Sequence, residues 1–510
     1  MSRRLPSSPT WPLLLAVCVA VLAVRAAPAA DPAGKRPNIL FIFSDDQSHR
    51  TVGCYPEAPD WVRTPHIDAL AKSGVRFTHA YMGTWCTPSR ATMLTGHHPH
   101  GVESLRAEGK YPGGTYDPAK FRFWSRALRE HGYVTAQIGK WHTGTDTGAG
   151  RDWDHQIVWN RPKYPDNAFQ YYYDQLIETN GGKAELVKDY ATDNYTRWAV
   201  DFIQGKHRDP KKPWYLWLCY GASHGPYTPA ERHLQDYPGV KVPTPADIFA
   251  PRAGKPDYVQ KLNVWSKGAD GQPVLKDGKD SKTLNDWSRQ YQQCVSGLDE
   301  GIGKVLAALK ESGQLENTLV VYTADQGFAW GQHGFQHKLA PYDANIRSPF
   351  IVSMPGKLPA GAVCNTPVGG VDLPPTLCKF AGLDLPWEMH GRDLTPLLTK
   401  PDRTGEHPVL TVFTGDKFGS DTEKIPGKNE RYHGVPWWVS LTVGRQKYIR
   451  TLEEGEIEEL YDLEKDPEEL TNLALDPKWA ERLQQLREQT VAELKRTKAP
   501  FVGKLPAVKQ

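Results

Sequence analysis

Cys86 opens the segment Cys86-Thr87-Pro88-Ser89-Arg90-Ala91-Thr92-Met93-Leu94-Thr95-Gly96, whose residue types suit a site for a negative group. Pro88 fits the first turn of a helix, where its missing N–H is no loss, and Thr87 is the expected cap. Cys86 then lies at a helix N-terminus, where unpaired backbone donors and the positive dipole end favour an anion, and Arg90 can turn to the same side one turn later. Far apart in the chain stand further polar groups: Asp45-Asp46, Lys140-Trp141-His142, His224 and Asp325-Gln326. Asp45, Asp46, Asp325 and Gln326 form an all-oxygen set of the kind that Ca²⁺ or Mg²⁺ takes, with the neutral amide limiting its charge to three carboxylates. A lone Asp-Asp pair is as readily a solvated turn, and a lone buried histidine a satisfied core residue. Position has to decide.

The positioning elements are legible. Asn38 to Phe43, Val134 to Ile138, Trp214 to Cys219 and Leu319 to Thr323 are near-continuous apolar runs, as strands buried on both faces of a parallel sheet require. Helical patterns lie between them, such as Thr64 to Ser73, with Thr64 as cap, Pro65 at the first position and Gly74 beyond the end. The alternation implies an α/β fold with no internal repeat of fixed period. Each of the four strands runs into one of the polar groups, so all four arrive at the carboxyl edge of one sheet, where ligands bind in open α/β folds.

The whole sequence of 510 residues allows a large core, and 62 basic against 59 acidic residues, a net charge of +3, gives nucleic acid no compositional support as a partner. Arg3 and Arg4, the apolar run from Trp11 to Val24 and the alanines near residue 30 have the three parts of a secretory signal. Residues 1–30 are therefore expected to be removed, leaving a secreted or periplasmic protein without stable membrane insertion, because no other apolar stretch reaches spanning length. Apart from Cys18 in the signal and Cys86, the cysteines are Cys54, Cys219, Cys294, Cys364 and Cys378, so at least one thiol stays free. Asn194-Tyr195-Thr196 is a glycosylation acceptor in a eukaryotic host.

The Cys86 segment resembles the C-x-P-S-R-x-x-x-L-T-G signature of the type I sulfatases, secreted arylsulfatase-like enzymes of the alkaline phosphatase-like superfamily. Gly139-Lys140-Trp141-His142 resembles that family's G-K-W-H segment, and Ser223-His224-Gly225-Pro226-Tyr227 its S-H-x-P-aromatic segment; Lys338 and Ile346-Arg347-Ser348-Pro349 fall in its register. The resemblance implies that a formylglycine-generating enzyme converts Cys86 to formylglycine, whose hydrated aldehyde attacks the sulfur of a sulfate ester. It also implies one divalent ion, usually calcium, held by Asp45, Asp46, Asp325 and Gln326 and touching residue 86. Asn is the common residue where Gln326 stands, which leaves the reach of the longer amide in question. Further implied roles are sulfate and diol binding by Arg90 and Lys140, deprotonation of the second hydroxyl by His142, and assistance to the leaving oxygen by His224 and Lys338. His97, His98 and His100 are read as structural.

The implied fold is a large mixed, mostly parallel sheet flanked by helices (residues 31–400), with a smaller C-terminal α+β subdomain (401–510) built on a short antiparallel sheet and a helix. Trp438 to Val443, Lys447 to Thr451 and Glu459 to Leu463 read as its strands, with a turn at Glu453-Glu454-Gly455 and a helix from about Pro477 to Lys495. Expected substrates are sulfated small molecules or glycans. Trp153, Trp159, Trp265, Trp287, Trp437 and Tyr171-Tyr172-Tyr173 offer rings for sugars, although aromatics more often pack cores. A formylglycine-dependent phosphodiester or phosphonate monoester hydrolase and an inactive carbohydrate-binding homologue are the alternatives.

Overall fold

The structure is a computed structural model that describes residues 1–2, 36–276, 282–403 and 407–508. The secretory signal expected at residues 1–30 lies almost wholly outside the described residues.

A 10-stranded sheet carries the larger part of the chain. At its centre Thr318–Ala324, Asn38–Ser44, Trp214–Cys219, Val134–Trp141 and His155–Asn160 lie side by side and parallel. Every residue in each of these strands is buried, which is why the sequence shows unbroken apolar runs there. Antiparallel strands extend both sides, Phe350–Ser353 beyond Thr318–Ala324 and Gln175–Thr179 beyond His155–Asn160. Two apolar cores cover the two faces. Ile42, Leu216 and Val320 point into one with the long helix Leu284–Glu311, and Phe41, Trp217 and Val321 into the other with Leu94 and Trp124. The fold class expected from the alternating pattern is therefore observed.

A separate 4-stranded antiparallel sheet follows, in the order Val409–Phe413, Trp438–Val443, Gln446–Thr451, Glu458–Asp462. The helix Ala480–Arg496 covers one face through Leu483, Leu486 and Leu494. The other face packs Trp438 and Ile449 against Leu339, Tyr342 and Ile346, next to the Lys338 segment. Val409–Phe413 is the strand the sequence reading missed.

Among the described residues no helix is long and apolar enough to cross a membrane. The six described cysteines are all free. Asn194 and Thr196 are buried in the helix Ala191–Ile203, where Thr196 Oγ1 donates to Thr192 O, so this tripeptide is not a glycosylation acceptor in the folded protein. The sugar-stacking expectation fails for Trp153, Trp159, Trp265, Trp287 and Trp437, all of which are buried. They pack cores, as most aromatics do.

Candidate functional site

The ends of the central strands meet over the start of the helix Cys86–Thr95. Cys86 is its first residue, as expected, but the cap differs. Trp85, in extended backbone, occupies the N-cap with no side-chain cap hydrogen bond, and Thr87 lies inside the helix. Trp85 is instead fixed by packing and by its indole N–H, which donates to Gly415 O at 2.9 Å, while its carbonyl accepts from Ser89 Oγ at 2.7 Å. The helix ends at Gly96, whose φ of +75° is the left-handed conformation that stops a helix cleanly.

Asp45 and Asp46 leave Asn38–Ser44, and Asp325 and Gln326 leave Thr318–Ala324, on adjacent parallel strands. Asp46 N donates to Asp325 Oδ1 at 2.9 Å and Asp325 N to Ser44 O at 3.2 Å, which locks the two strand ends together. Asp45 is zipped to the loop after Trp214–Cys219 by Asp45 N to Ala222 O at 3.0 Å and Ser223 N to Asp45 O at 2.9 Å, and that loop brings in His224. Val134–Trp141 runs further than its apolar core, so Lys140 lies within the strand. Gly139 makes the bend there: its φ is +104°, and a Cβ would lie 2.0 Å from Cys219 O.

The expected site residues come together, Asp45, Asp46, Cys86, Arg90, Lys140, His142, Asp325 and Gln326 buried and His224 and Lys338 half-buried. Cys86 Sγ lies 3.2 Å from Asp45 Oδ1, 4.0 Å from Asp46 Oδ1 and 3.1 Å from Lys338 Nζ. One ligand atom each from Asp45, Asp46, Cys86 and Asp325 fall within 4.8 Å of one another. Each carboxylate has a cation. Lys140 Nζ bonds Asp45 Oδ2, Lys338 Nζ bonds Asp46 Oδ1 at 2.6 Å, and Arg90 Nη2 lies 3.4 Å from Asp325 Oδ2 and 3.9 Å from Asp45 Oδ1. The Gln326 side chain reaches the carboxylates with its nitrogen, Nε2 donating to Asp46 Oδ1, while its Oε1 accepts from Ser89 Oγ at 3.4 Å.

Three buried carboxylates so close together disturb one another. Burial raises Asp325, and the Asp45 charge adds to this, holding it well above the usual carboxylate range. Asp46 is also raised by burial and by Asp45 despite Lys338. Burial acts the same way on Asp45, but Lys140, His224 and Arg90 outweigh it and hold the group well below its ordinary value. Burial and Asp45 push the Cys86 thiol up to about 12, so it is a neutral thiol rather than a thiolate. Two of the three carboxyls stay raised although each has a cation, so a further positive charge would favour their ionised form, and their oxygens are the donors a hard divalent cation prefers. Ca²⁺ or Mg²⁺ fits this set.

Two histidines flank it. His224 Nδ1 donates to Gly225 O at 2.7 Å, its Nε2 lies 3.3 Å from Asp46 Oδ2, and its ring stacks on Tyr171 with centroids 4.0 Å apart. His142 Nδ1 accepts from Arg161 Nη1 at 2.9 Å. The same Nη1 lies 3.4 Å from Nε2, so a guanidinium that can only donate faces the imidazole. Burial and Arg161 hold His142 well below its ordinary pKa. The expected base is thus a neutral imidazole with a permanent cation beside it. Arg161, which the sequence reading missed, arrives because Trp141 pairs with Asn160 in the neighbouring strand. Reading His155–Asn160 as the next parallel strand would have flagged the residue at its end.

Residues 37–383 match the sequence profile of the Sulfatase family. The chain belongs to the sulfatase family. It is 29% identical to an N-acetylglucosamine-6-O-sulfatase of Bacteroides thetaiotaomicron, with 95% of this chain and 91% of that protein covered. It is 26% identical to an arylsulfatase of Clostridium perfringens, covering 90% of this chain and 94% of that protein. Among solved structures, BT4656 in complex with its substrate D-glucosamine-2-N,6-O-disulfate superposes with a TM-score of 0.75 at 25% identity, over 91% of this chain and 98% of that one. This sulfatase is thus a sulfuric ester hydrolase with the family's fold, including the small antiparallel sheet after the large one.

Proposed function

We propose that this sulfatase hydrolyses the sulfate ester of a sulfated saccharide, with residue 86, matured to formylglycine, as its nucleophile. The observation that carries the reading is the position of Cys86 Sγ, 3.2 Å from Asp45 Oδ1 and 3.1 Å from Lys338 Nζ at a helix N-terminus. A nucleophile there faces a carboxylate that can hold its proton and cations that can hold an anion. The neutral thiol is a weak nucleophile, which favours conversion. Asp45, Asp46, Asp325 and Gln326 would hold the divalent cation, which supplies charge compensation and polarisation of the nucleophile.

The chain's own residues divide the remaining work. Arg90 is fully buried and braced on Asp325, so it offers its charge to sulfate oxygens from a fixed direction. Lys140 orients Asp45. Lys338 stays protonated, its pKa raised by Asp46 and Cys86 against the effect of burial, and so stabilises negative charge better than it donates protons. His224, whose own proton lies on Nδ1 against Gly225 O, would take up a proton at Nε2 before passing it to a departing alkoxide. His142, a neutral imidazole beside Arg161, offers a ring nitrogen to the bound group.

The test is hydrolysis of nitrophenyl sulfate by protein produced with and without a formylglycine-generating enzyme, with nitrophenyl phosphate and phenylphosphonate esters in parallel. Sulfate release that depends on the maturing enzyme and exceeds turnover of the phosphorus esters supports the reading. Preference for a phosphorus ester would instead favour a phosphodiester or phosphonate monoester hydrolase, and no turnover of any ester the binding homologue.

A further inference from the structure

One cavity joins the nucleophile's flank to loops that contribute nothing to the buried charge cluster. It has a volume of about 280 Å³, and its walls include Trp85 and Thr87, on either side of Cys86, together with His142, Tyr111, Asp416 and Tyr432. Its aromatic surface is continuous. Trp85 and Tyr432 lie with centroids 5.2 Å apart at 30°, and Tyr111 meets His142 edge-on at 5.8 Å. Tyr111, 44% exposed, and half-buried Tyr432 are the rings of this wall open to the apolar face of a sugar, with Trp85 and His142 buried behind them.

The cavity carries charged groups of its own, apart from the nucleophile cluster. Its ionisable wall residues besides histidine are Arg106, Glu108 and Asp416. Arg106 is already engaged, by Glu103 at 3.1 Å, Asp421 at 2.9 Å and the carbonyls of Glu103 and Leu105. Glu108 is exposed, and Asp416 retains 38% of its side-chain exposure beside Lys417 at 3.3 Å. With Arg106 engaged, the carboxylates of Glu108 and Asp416, the latter in an ion pair with Lys417, are the anionic acceptors this cavity offers.

Asp416 is held in place from the nucleophile's side. Trp85 Nε1 binds the carbonyl of Gly415, the residue before it, and Thr414 Oγ1 closes the turn on Lys417 O at 2.8 Å. Gly415 has φ +59°, and a Cβ there would lie 3.0 Å from Tyr432 Cβ, so the close approach of this turn to the aromatic wall needs glycine.

Resting on the sulfatase reading, we infer that this cavity is the sugar-ring subsite and that Asp416 determines specificity in it. It accepts hydrogen bonds from hydroxyl or amide N–H groups and rejects sugars with a second negative group. The substrate class is a saccharide whose reacting residue carries one sulfate ester and neither a carboxylate nor an N-sulfate. A like charge brought against Asp416 and Glu108 is unfavourable, whereas a neutral donor is not.

The matured protein would be assayed on N-acetylglucosamine carrying one sulfate at O3, O4 or O6, on the N-sulfated counterpart of each, and on nitrophenyl sulfate. The expected result is a kcat/KM about tenfold or more higher for the N-acetyl member of the hydrolysed pair, carried mainly by KM. Asp416→Asn, which keeps the side-chain shape, should narrow that ratio severalfold, and Glu108→Gln should narrow it less. An N-sulfated sugar cleaved as well as its N-acetyl partner, or a ratio unmoved in both variants, overturns the inference. So does turnover of nitrophenyl sulfate with none of the sugars. If nitrophenyl sulfate is not cleaved either, the sulfatase reading fails first.

Discussion

Arg161 Nη1 lies 2.9 Å from His142 Nδ1 and 3.4 Å from its Nε2, so a guanidinium that can only donate stands against the imidazole. Arg161 is itself buried, anchored by Nε on Ala168 O at 2.7 Å and flanked by the rings of Trp159 and Tyr171. Burial, and a permanent cation so close, keep His142 neutral.

Arg161→Met should lower kcat/KM on nitrophenyl sulfate by roughly 10–100-fold, the range for losing a hydrogen bond from a charged group. It should also shift the acidic limb of the pH–rate profile to higher pH. Burial still depresses His142, but the guanidinium no longer adds to it, so protonation begins at a higher pH. Arg161→Lys should restore part of both. A rate loss with no movement of the limb would mean that Arg161 serves only to pack Trp159 and Tyr171.

The sequence disclosed the strand ends better than the site's walls. Fully buried parallel strands write unbroken apolar runs, so Asn38–Ser44, Trp214–Cys219 and Thr318–Ala324 and the polar residues after them were visible without a structure. Arg161, Trp85 and Asp416 were not read as site residues, and Tyr171 was read only as a ring for sugars. Each arrives through a pairing register or a loop contact between distant segments, such as Trp85 on Gly415, and local pattern carries no record of such contacts. The Asn194-Tyr195-Thr196 tripeptide misled for the same reason. Its sequence fits an acceptor, but the face of its helix turns it into the core.

Asp325→Asn tests the cation set. Removing this charge should lower Ca²⁺ or Mg²⁺ content, measured by elemental analysis, and turnover together. It should also abolish the fall in melting temperature that chelation causes in the parent protein, because a ligand that binds only the folded state stabilises it. Without metal the variant should be no less stable than the parent, since a carboxyl that burial and Asp45 already raise is replaced by a neutral amide. A parent protein whose metal content and melting temperature do not respond to chelator contradicts this account.

His224→Ala should separate substrates by leaving group. A nitrophenolate, with pKa about 7, needs little protonation, whereas a sugar alkoxide depends on a general acid worth roughly 10²–10⁴-fold. The variant should therefore lose far more kcat/KM on a sulfated sugar than on nitrophenyl sulfate. Equal losses would assign the proton to Lys338 or to water.

His97, His98, His100 and His390 form a buried stack, with His97 and His390 centroids 4.3 Å apart and His98 and His100 5.5 Å apart. It ties the end of the nucleophile helix to the C-terminal helix, where His100 Nε2 meets Thr497 O at 3.0 Å. Burial lowers His98, His100 and His390 alike, with the neighbouring histidines adding to it and Arg496 adding at His98 and His390; His100 falls from 6.5 to about 4. The folded state thus resists protons that the unfolded chain binds. This contribution to stability is complete above pH 6.5 and is lost as pH falls toward 4, on the order of 3 kcal/mol for His100 alone. His100→Gln should flatten the fall in melting temperature between pH 6.5 and 4, measured by scanning calorimetry. An unchanged slope would remove the stack from the acid response.

The most direct measurement is the mass of the tryptic peptide that contains residue 86, taken from protein whose sulfatase activity is assayed in the same preparation. Co-production with a formylglycine-generating enzyme should make that peptide about 18 Da lighter than the cysteine form, and specific activity should rise in proportion to the converted fraction. Cys86→Ala should have neither the shift nor the activity. Full activity in a preparation whose peptide retains the unmodified cysteine mass would contradict the account.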